Sequence, residues 1–414
     1  MTKLKVVYIT IEDISSGLFL TQVFEPVKKM AEIDTKRQFN LIVLNRPWKY
    51  LEHRKTLKVI RKSLLLQKNI SIRYIPLLPP LRNVTSSKFL SKITTYIISF
   101  LFFLFVDKKK SLYHSRSYWP CAAGLLTNLN PMIFEPRSLW NLENLAMGQI
   151  IRGSKAEVYW NTLERICVNK SEKVISINSQ MANYFTKNYN SYRKNVVIPI
   201  SYSNKNFSYN SVKRKEIREK LLFSNKKVFV YSGSLGMTKI NTVSIIQTIQ
   251  RLNNTFKNSH FLFLTPEYES KSIKKIVDKT TISKKNFTSI HPSFNEISYY
   301  LSAADYGYHS LPIQPDSFTR MGTKIIEYLA VGLPVIVNEH VGAAAQILKN
   351  KNLGFVIDEK TKTGTIIKNL NLLSDRNRVE RINFAKENFE ISIIAKNYIK
   401  IYNEIDSTHI NGTS

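Results

Sequence analysis

Short apolar runs alternate with longer amphipathic stretches along almost the whole chain, so that a periodicity of two gives way to one near 3.6 and back again. In the first half the runs predict strands at 5–10, 39–44, 70–75, 111–115, 132–135, 173–177 and 195–199, with helices beginning near Leu18, Leu51, Ser87, Trp119, Ala156 and Ser179. After a polar stretch, a second series predicts strands at 227–232, 261–265, 287–290, 306–309, 335–338 and 354–357, and a closing helix over 384–405. Parallel strands need a crossover, and the crossover helices cover the sheet, so this alternation is the signature of α/β architecture. No internal period of solenoid length is visible. We therefore expect two Rossmann-like doubly wound domains facing a central cleft, one over residues 1–200 and one over 213–383. A linker over 201–212 joins them, and a closing helix and tail occupy 384–414. In such sheets ligands bind beyond the carboxyl ends of strands, which directs the search for chemistry to the loops that follow them.

One stretch strains this picture. Residues 93–106 form an uncharged, largely apolar stretch of fourteen between Lys92 and Lys108. A spanning helix needs about twenty such residues, so a buried helix is the first expectation and an interfacial, membrane-contacting helix the alternative. The opening Leu4–Thr10 run followed by Glu12 and Asp13 reads as a first strand and its loop, not as an export signal.

Composition then adds a charge problem. The 414 residues include 61 Lys+Arg and 30 Asp+Glu, a net charge of +31, while 43% hydrophobic content is enough to build cores and excludes disorder. Cys121 and Cys167 are too few for a disulfide framework, and a reduced cytosolic compartment is expected. The excess is sharpest between residues 46 and 92, where twelve Lys/Arg meet a single acid, Glu52. On a helical wheel Arg54, Lys55, Lys58, Arg61 and Lys62 share one arc, with Leu57, Val59, Ile60, Leu64 and Leu66 opposite. A solvated face, a dock for anionic lipid headgroups and a nucleic-acid patch all fit such a helix. Only charge supports the last, since no zinc-finger, RRM-type or homeodomain pattern accompanies it, and no nucleic acid is expected as a partner.

Two segments carry phosphate-binding chemistry. Ser232-Gly233-Ser234-Leu235-Gly236 follows the first strand of the second series, where small residues let backbone N–H groups approach an anion, with Lys239 a few positions on. It lacks the Gly-Lys-Ser/Thr of a Walker loop, and a plain strand-to-helix turn explains it equally well. The second segment runs from Ser317 through Thr319, Arg320, Gly322, Thr323, Lys324 and Glu327 to Gly332-Leu333-Pro334. A helix starting near Gly322-Thr323 presents free N–H groups to a phosphate, flanked by Arg320 and Lys324, with Glu327 one turn deeper on the same face. Cations suit a diphosphate and a carboxylate behind them suits sugar hydroxyls, which is the description of a nucleotide-sugar site.

At these residues the chain resembles glycosyltransferase family 4, the retaining enzymes of GT-B architecture, of cell-envelope polysaccharide type. Glu327 within Glu-Tyr-Leu-Ala-x-Gly-x-Pro-Val-Ile matches the second of the family's two signature glutamates, and Thr319 stands at the first. Lys239 matches the family's phosphate-binding lysine; its arginine position is Ser234, and Arg320 is expected to supply that cation instead. The resemblance places Gly17, in the loop after the first strand, near the donor phosphates. It places His114 against the transferred sugar, and Arg116, Glu135 and Arg137 on the acceptor or sugar side. His114, Lys239, Arg320, Lys324 and Glu327 become the expected catalytic set; Gly17, Gly233, Ser234, Thr319, Gly322 and Thr323 become the donor-binding set.

The function this implies is transfer of a sugar from a UDP- or GDP-sugar co-substrate to a lipid-linked cell-envelope glycan by a cytoplasmic protein peripheral on the inner face of the membrane. The chain has no Asp-x-Asp pair, and His291, His309 and His340 lack a ligand spacing, so neither metal nor other cofactor is expected. A nucleotide-sugar epimerase or phosphorylase-like enzyme on the same fold, and a non-enzymatic anionic-surface or nucleic-acid binding protein on a degenerate scaffold, are the alternatives. Trp119, Trp140 and Trp160 are expected to pack in the core rather than stack on sugars.

Overall fold

A computed structural model describes residues 3–45, 50–77, 84–108, 110–235, 239–280, 282–373 and 377–411. The chain divides into two units, one of Met1–Ser201 with Ile391–Ser414 and one of Tyr202–Glu390.

The first unit runs β1 (Lys5–Thr10), α1 (Gly17–Phe19), α2 (Glu25–Ile33), β2 (Phe39–Asn45), α3 (Tyr50–Ser63), β3 (Ile70–Pro76), α4 (Lys88–Phe105), β4 (Ser111–Arg116), α5 (Tyr118–Leu126), β5 (Met132–Glu135), α6 (Trp140–Ala146), α7 (Lys155–Lys170), β6 (Lys173–Ser176), α8 (Ser179–Tyr189) and β7 (Asn195–Val197). A π-helical turn, Leu20–Phe24, joins α1 to α2 without a break. The strands form one parallel sheet in the order β3-β2-β1-β4-β5-β6-β7, with the direction of winding reversing between β1 and β4. Because right-handed crossovers place helices on both faces, the central strands are buried on both sides: β4 is buried at every position and β1 at all but its first. This is why they read as continuous apolar runs.

The second unit runs α9 (Ser211–Lys220), β8 (Lys227–Ser232), α10 (Lys239–Thr255), β9 (Ser259–Leu264), α11 (Lys271–Lys279), β10 (Phe287–Ile290), α12 (Ile297–Ala303), β11 (Tyr306–His309), α13 (Thr323–Ala330), β12 (Val335–Asn338), α14 (Gly342–Asn350), β13 (Gly354–Ile357), α15 (Thr363–Leu372) and α16 (Arg378–Phe389). Its parallel sheet has the order β10-β9-β8-β11-β12-β13 and reverses between β8 and β11. The last helix, α17 (Ile391–Asn411), returns to the first unit.

Four expectations change. The stretch 201–212 is not a free linker: Tyr202 and Phe207 are buried, and the amides of Ser208 and Asn210 donate to the hydroxyls of Ser298 and Ser302 on α12 at 3.0 and 3.1 Å. The closing helix over 384–405 is two helices, because the Phe389 carbonyl accepts from the Tyr202 amide at 2.9 Å and Glu390 turns extended at ψ 138°. The apolar run at 93–106 forms a helix, but its aromatic side is exposed while a Ser/Thr-rich side faces α5 and α7. On α3 the basic residues are exposed as expected and Leu57, Ile60 and Leu64 are core, yet Val59 and Leu66 are exposed. The buried stripe follows His53, Leu57, Ile60 and Leu64, which leaves Val59 off it, and the helix has ended before Leu66.

α17 is held by charge as well as by its apolar face. Arg37, fully buried, donates to Asp406 at 2.7 Å, to Asn403 at 2.9 Å and to Asp34 at 3.0 Å. Removing one carboxylate leaves part of that guanidinium unpaired, so Asp406→Ala is expected to lower the stability of the first unit by about 2–3 kcal/mol. The urea midpoint, against that of the unaltered chain, measures it.

Candidate functional site

In the second unit the residues converge on the carboxyl ends of β8 and β11. After β8 the chain turns at Gly233 with φ +114°, a conformation that L side chains rarely adopt. A Cβ there would lie 3.1 Å from Lys324 Nζ and 3.3 Å from Cε, so glycine is required twice, by the turn and by the lysine lying against it. Lys324 donates to Tyr231 Oη at 3.2 Å and sits 4.5 Å from the centre of that ring. Among the described residues it has no carboxylate partner.

α13 is aimed by Tyr328. The buried ring passes over Gly307 of β11, where a Cβ would come within 2.4 Å of it, and its hydroxyl accepts from the Ser232 amide at 2.8 Å. Gly322 precedes the helix in extended conformation and no side chain caps its first turn, so Gly322, Thr323 and Lys324 present an open helix N-terminus, half-buried. Glu327 lies one turn in and is half-buried, with no hydrogen-bond partner for its carboxylate among the described residues. Burial pushes its pKa up to about 7, against the opposing pull of Lys324.

His309, at the end of β11, completes this cluster, although its sequence spacing from other histidines is not that of metal ligands. Its Nε2 lies where a Cβ on Gly322 would be 3.6 Å away, and its Nδ1 is buried without a partner among the described residues. Burial holds it neutral, and the charges of Lys324 and Arg320 push the same way. The signal that could have found it is its position, the last residue of a central parallel strand.

Several expected residues do not join. Arg320 is not a spare cation: its guanidinium binds Asp316 through two hydrogen bonds, at 2.9 and 3.1 Å, and also contacts Gln314. Thr319 is buried, its hydroxyl donating to the Asp316 carbonyl at 3.0 Å, so it closes a local turn instead of facing a ligand. Ser234 is exposed and donates to Glu267 at 2.5 Å; Thr265 donates to the same carboxylate, which these bonds hold below its ordinary pKa despite burial. Ser234, at the position where the resemblance has an arginine, is thus tied to an acid from the segment after β9. Lys239 opens α10, but its side chain lies outside the described residues, as does Gly236. A separate cavity of about 720 Å³ between α10 and the ends of β11–β13, lined by Ser244, Thr248, Ser310, Asn338 and Glu339 among others, touches none of the predicted residues.

In the first unit, His114, Arg116, Glu135 and Arg137 are brought together, but around a buried carboxylate. Glu135, fully buried at the end of β5, accepts from Tyr8 at 3.1 Å, His114 Nε2 at 2.8 Å, Arg116 at 3.1 Å, Arg137 at 2.8 Å and Tyr398 at 3.1 Å. Burial alone would raise its pKa; the Arg116 charge, the His114 hydrogen bond and the Arg137 charge outweigh it and hold the carboxyl well below the usual range. His114 correspondingly has no exposed surface to offer a sugar. It is fully buried, burial keeps it neutral, and with Nε2–H given to Glu135 its Nδ1 accepts from Tyr402 Oη at 2.7 Å. Arg116 is 2% exposed; only Arg137, at 17% side-chain exposure and φ +52°, keeps a reachable edge. Gly17 is exposed at the start of α1, where the Ser16 hydroxyl accepts from the Phe19 amide at 3.0 Å, and His53 of α3 lies beside the preceding loop with Nε2 2.9 Å from Asp13. Trp160 is core, while Trp119 and Trp140 are half-buried against it.

Residues 213–388 match the family model described as glycosyl transferases group 1, a span that lies within the second unit. With that match the chain is a glycosyltransferase. Comparison with curated protein sequences gives no match. Among solved structures, the chain is similar to the sucrose-phosphate synthase of Thermosynechococcus elongatus, with TM-score 0.70, 14% identity, and coverage of 98% of this chain and 100% of that one. It is similar to a glycosyltransferase from Rickettsia africae, TM-score 0.66, 15% identity, covering 98% and 99%. It is also similar to Anabaena Alr3699/HepE in complex with UDP-glucose, TM-score 0.65, 11% identity, covering 97% and 100%. Similarity across the full length of both chains establishes the GT-B fold.

The Glu135 cluster makes a prediction of its own. Glu135→Ala leaves Arg116 buried without its carboxylate and is expected to cost about 3–5 kcal/mol in the first unit, read from the urea midpoint. Because the folded pKa of Glu135 lies below its unfolded value, its contribution is complete above that value and is lost as pH falls below it. Glu135→Gln should therefore flatten the acid limb of the stability–pH curve.

Proposed function

We propose that the chain is a retaining transferase that takes a sugar from a UDP- or GDP-sugar and adds it to a cell-envelope glycan acceptor, lipid-linked, at the cytoplasmic face of the membrane. The observation that carries the donor side is Lys324 laid against Gly233 at an uncapped helix start, a cation without a carboxylate partner among the described residues. That is the arrangement a diphosphate needs.

In the transfer, the bond between the anomeric carbon and the diphosphate oxygen breaks and its electron pair leaves with the nucleoside diphosphate. The acceptor oxygen bonds to the same carbon as its proton departs, with a donor phosphate oxygen taking up that proton. Negative charge grows on the leaving oxygen, where Lys324 and the first N–H groups of α13 stabilise it, with Lys239 as the second cation. Arg320 takes no such part, since Asp316 already offsets its charge. Ionised Glu327 accepts donor hydroxyls from behind, and neutral His309 contributes a hydrogen bond without adding charge. The Anabaena protein's complex with UDP-glucose favours a uridine nucleotide, and the synthase neighbour favours transfer to an acceptor over epimerisation.

A panel of nucleotide sugars with detection of released nucleoside diphosphate tests this. Lys324→Ala is expected to lower kcat by about 10²–10³, and Gly233→Ala to weaken donor binding by displacing that lysine. Unchanged turnover in Lys324→Ala removes the donor assignment, and a product of inverted anomeric configuration removes the retaining one. Donor affinity is expected to fall as pH drops through about 7, where Glu327 gains its proton, in a range where a nucleotide sugar's diphosphate does not titrate. Glu327→Gln should remove that dependence.

A further inference from the structure

α4 presents to solvent the side that a helix of a folded unit normally hides. Its packed face, toward α5 and α7, is Ser91, Thr94, Thr95, Ile98, Ser99 and Phe102. Its outward face is Phe89, Ile93, Tyr96, Phe100 and Phe103, at spacings of four, three, four and three, with Leu104 beside them. Phe89, Phe100 and Phe103 are 70%, 62% and 67% exposed, far above what isolated surface apolar residues need explaining for, and they form one stripe.

The orientation is built in. The hydroxyls of Thr94, Thr95 and Ser99 donate to the carbonyls of Leu90, Ser91 and Thr95 at 2.8, 3.1 and 2.8 Å, so the polar face enters the interior satisfied. Thr95 also hydrogen-bonds Tyr159 on α7 at 3.0 Å, and Arg73 of β3 donates to the Phe105 carbonyl at 2.8 Å, fixing the end of the helix. Cations flank the stripe. Lys88 and Lys92 are exposed along the first turns and Lys108 and Lys110 beyond the last, with the ammonium groups of Lys92 and Lys108 over the Tyr96 and Phe103 rings at 5.7 and 5.6 Å. The one acid between residues 84 and 110 is Asp107.

We propose that α4 lies in the plane of an anionic lipid bilayer, with the aromatic stripe at the headgroup–acyl boundary and the flanking lysines on lipid phosphates. This deepens the membrane-side part of the function proposed above by naming the element that makes the contact. Eighteen residues reach about 27 Å, but the helix cannot cross a bilayer while its inner face stays on α5, so it lies flat. Charge selects lipid over a second copy of the chain: two α4 faces brought together would oppose lysine to lysine, whereas an anionic bilayer neutralises them. The basic residues of α3 are a different surface, since Leu57, Ile60 and Leu64 at α3 share a core with residues of α2 and α17, whereas α4 packs on α5 and α7.

The test is co-sedimentation of the full-length chain with vesicles of phosphatidylcholine and phosphatidylglycerol at 7:3, and with phosphatidylcholine alone. The unaltered chain should bind the anionic vesicles, and Phe100→Ser with Phe103→Ser should weaken that binding by at least about tenfold. Both side chains are exposed, so the urea midpoint should not move. Lys58→Glu with Arg61→Glu on α3 should leave most of the binding intact. Phe103→Trp should shift its emission to the blue and be quenched by brominated lipid. Binding that survives the α4 variant, or is lost only in the α3 variant, overturns the proposal, as does a dimer in sedimentation equilibrium that depends on Phe100 and Phe103 without vesicle binding. Release of nucleoside diphosphate in the absence of lipid should be unchanged in the α4 variant; that separates failure here from failure of the donor assignment.

Discussion

A buried carboxylate organises the first unit. Removing an ion from water costs several kcal/mol even after relaxation, and Glu135 meets that cost with donors drawn from β1, β4, the turn after β5 and α17. The recruitment of α17 is the consequential part. Tyr398 and Tyr402 bring the end of the chain to Glu135 and His114, and Arg37 secures it again through Asp406. The last helix therefore belongs to the first unit, and the chain passes between units twice, at Ser201–Tyr202 and Glu390–Ile391, where Tyr202 and Glu390 form a parallel bridge within the second unit.

The second unit treats the same residue types in the opposite way. Glu135 is surrounded by donors and held ionised; Glu327 has none among the described residues and titrates near neutrality. Arg116 and Arg320 are spent on carboxylates, whereas Lys324, among the described residues, leans on a tyrosine. An ionisable group whose valences are filled by its own fold positions the backbone, and one left unfilled in a half-buried setting awaits a ligand. In the function we propose, that contrast places the chemistry on α13 and the scaffolding at the end of β5, although both carry glutamate beside cations.

Much of the fold was legible because parallel strands buried on both faces must be apolar throughout, and the alternation of such runs with amphipathic stretches admits few topologies. The α13 start was legible for a local reason, since Gly322, Thr323, Lys324 and Glu327 lie within one turn and a half of helix. His114 was not, because its partners Tyr402 and Glu135 lie 288 and 21 residues away and nothing local announces them. Glu267 reaches Ser234 across 33 residues for the same reason. Arg320 is the instructive failure. Asp316 stands four residues before it, a spacing at which opposite charges meet even in a single turn, and the pair was open to inference from the sequence.

The charge excess shows how far a linear count stands from a surface. The basic run between residues 46 and 92 reads as one patch, yet the fold divides it, since α3 shares a core with α2 and α17 whereas α4 packs on α5 and α7. For α4 the sequence contained both stripes, one of phenylalanines and one of serine and threonine, each at helical spacing. Hydropathy alone chooses the aromatic stripe for the interior. The choice is reversed because serine and threonine bond back to their own helix and so bring little unsatisfied polarity inward, while their small volume lets α5 approach closely. A helix can therefore be packed by its hydroxyls, provided something other than water receives its aromatics, and the lysines at both ends of the stripe state what charge that partner must have.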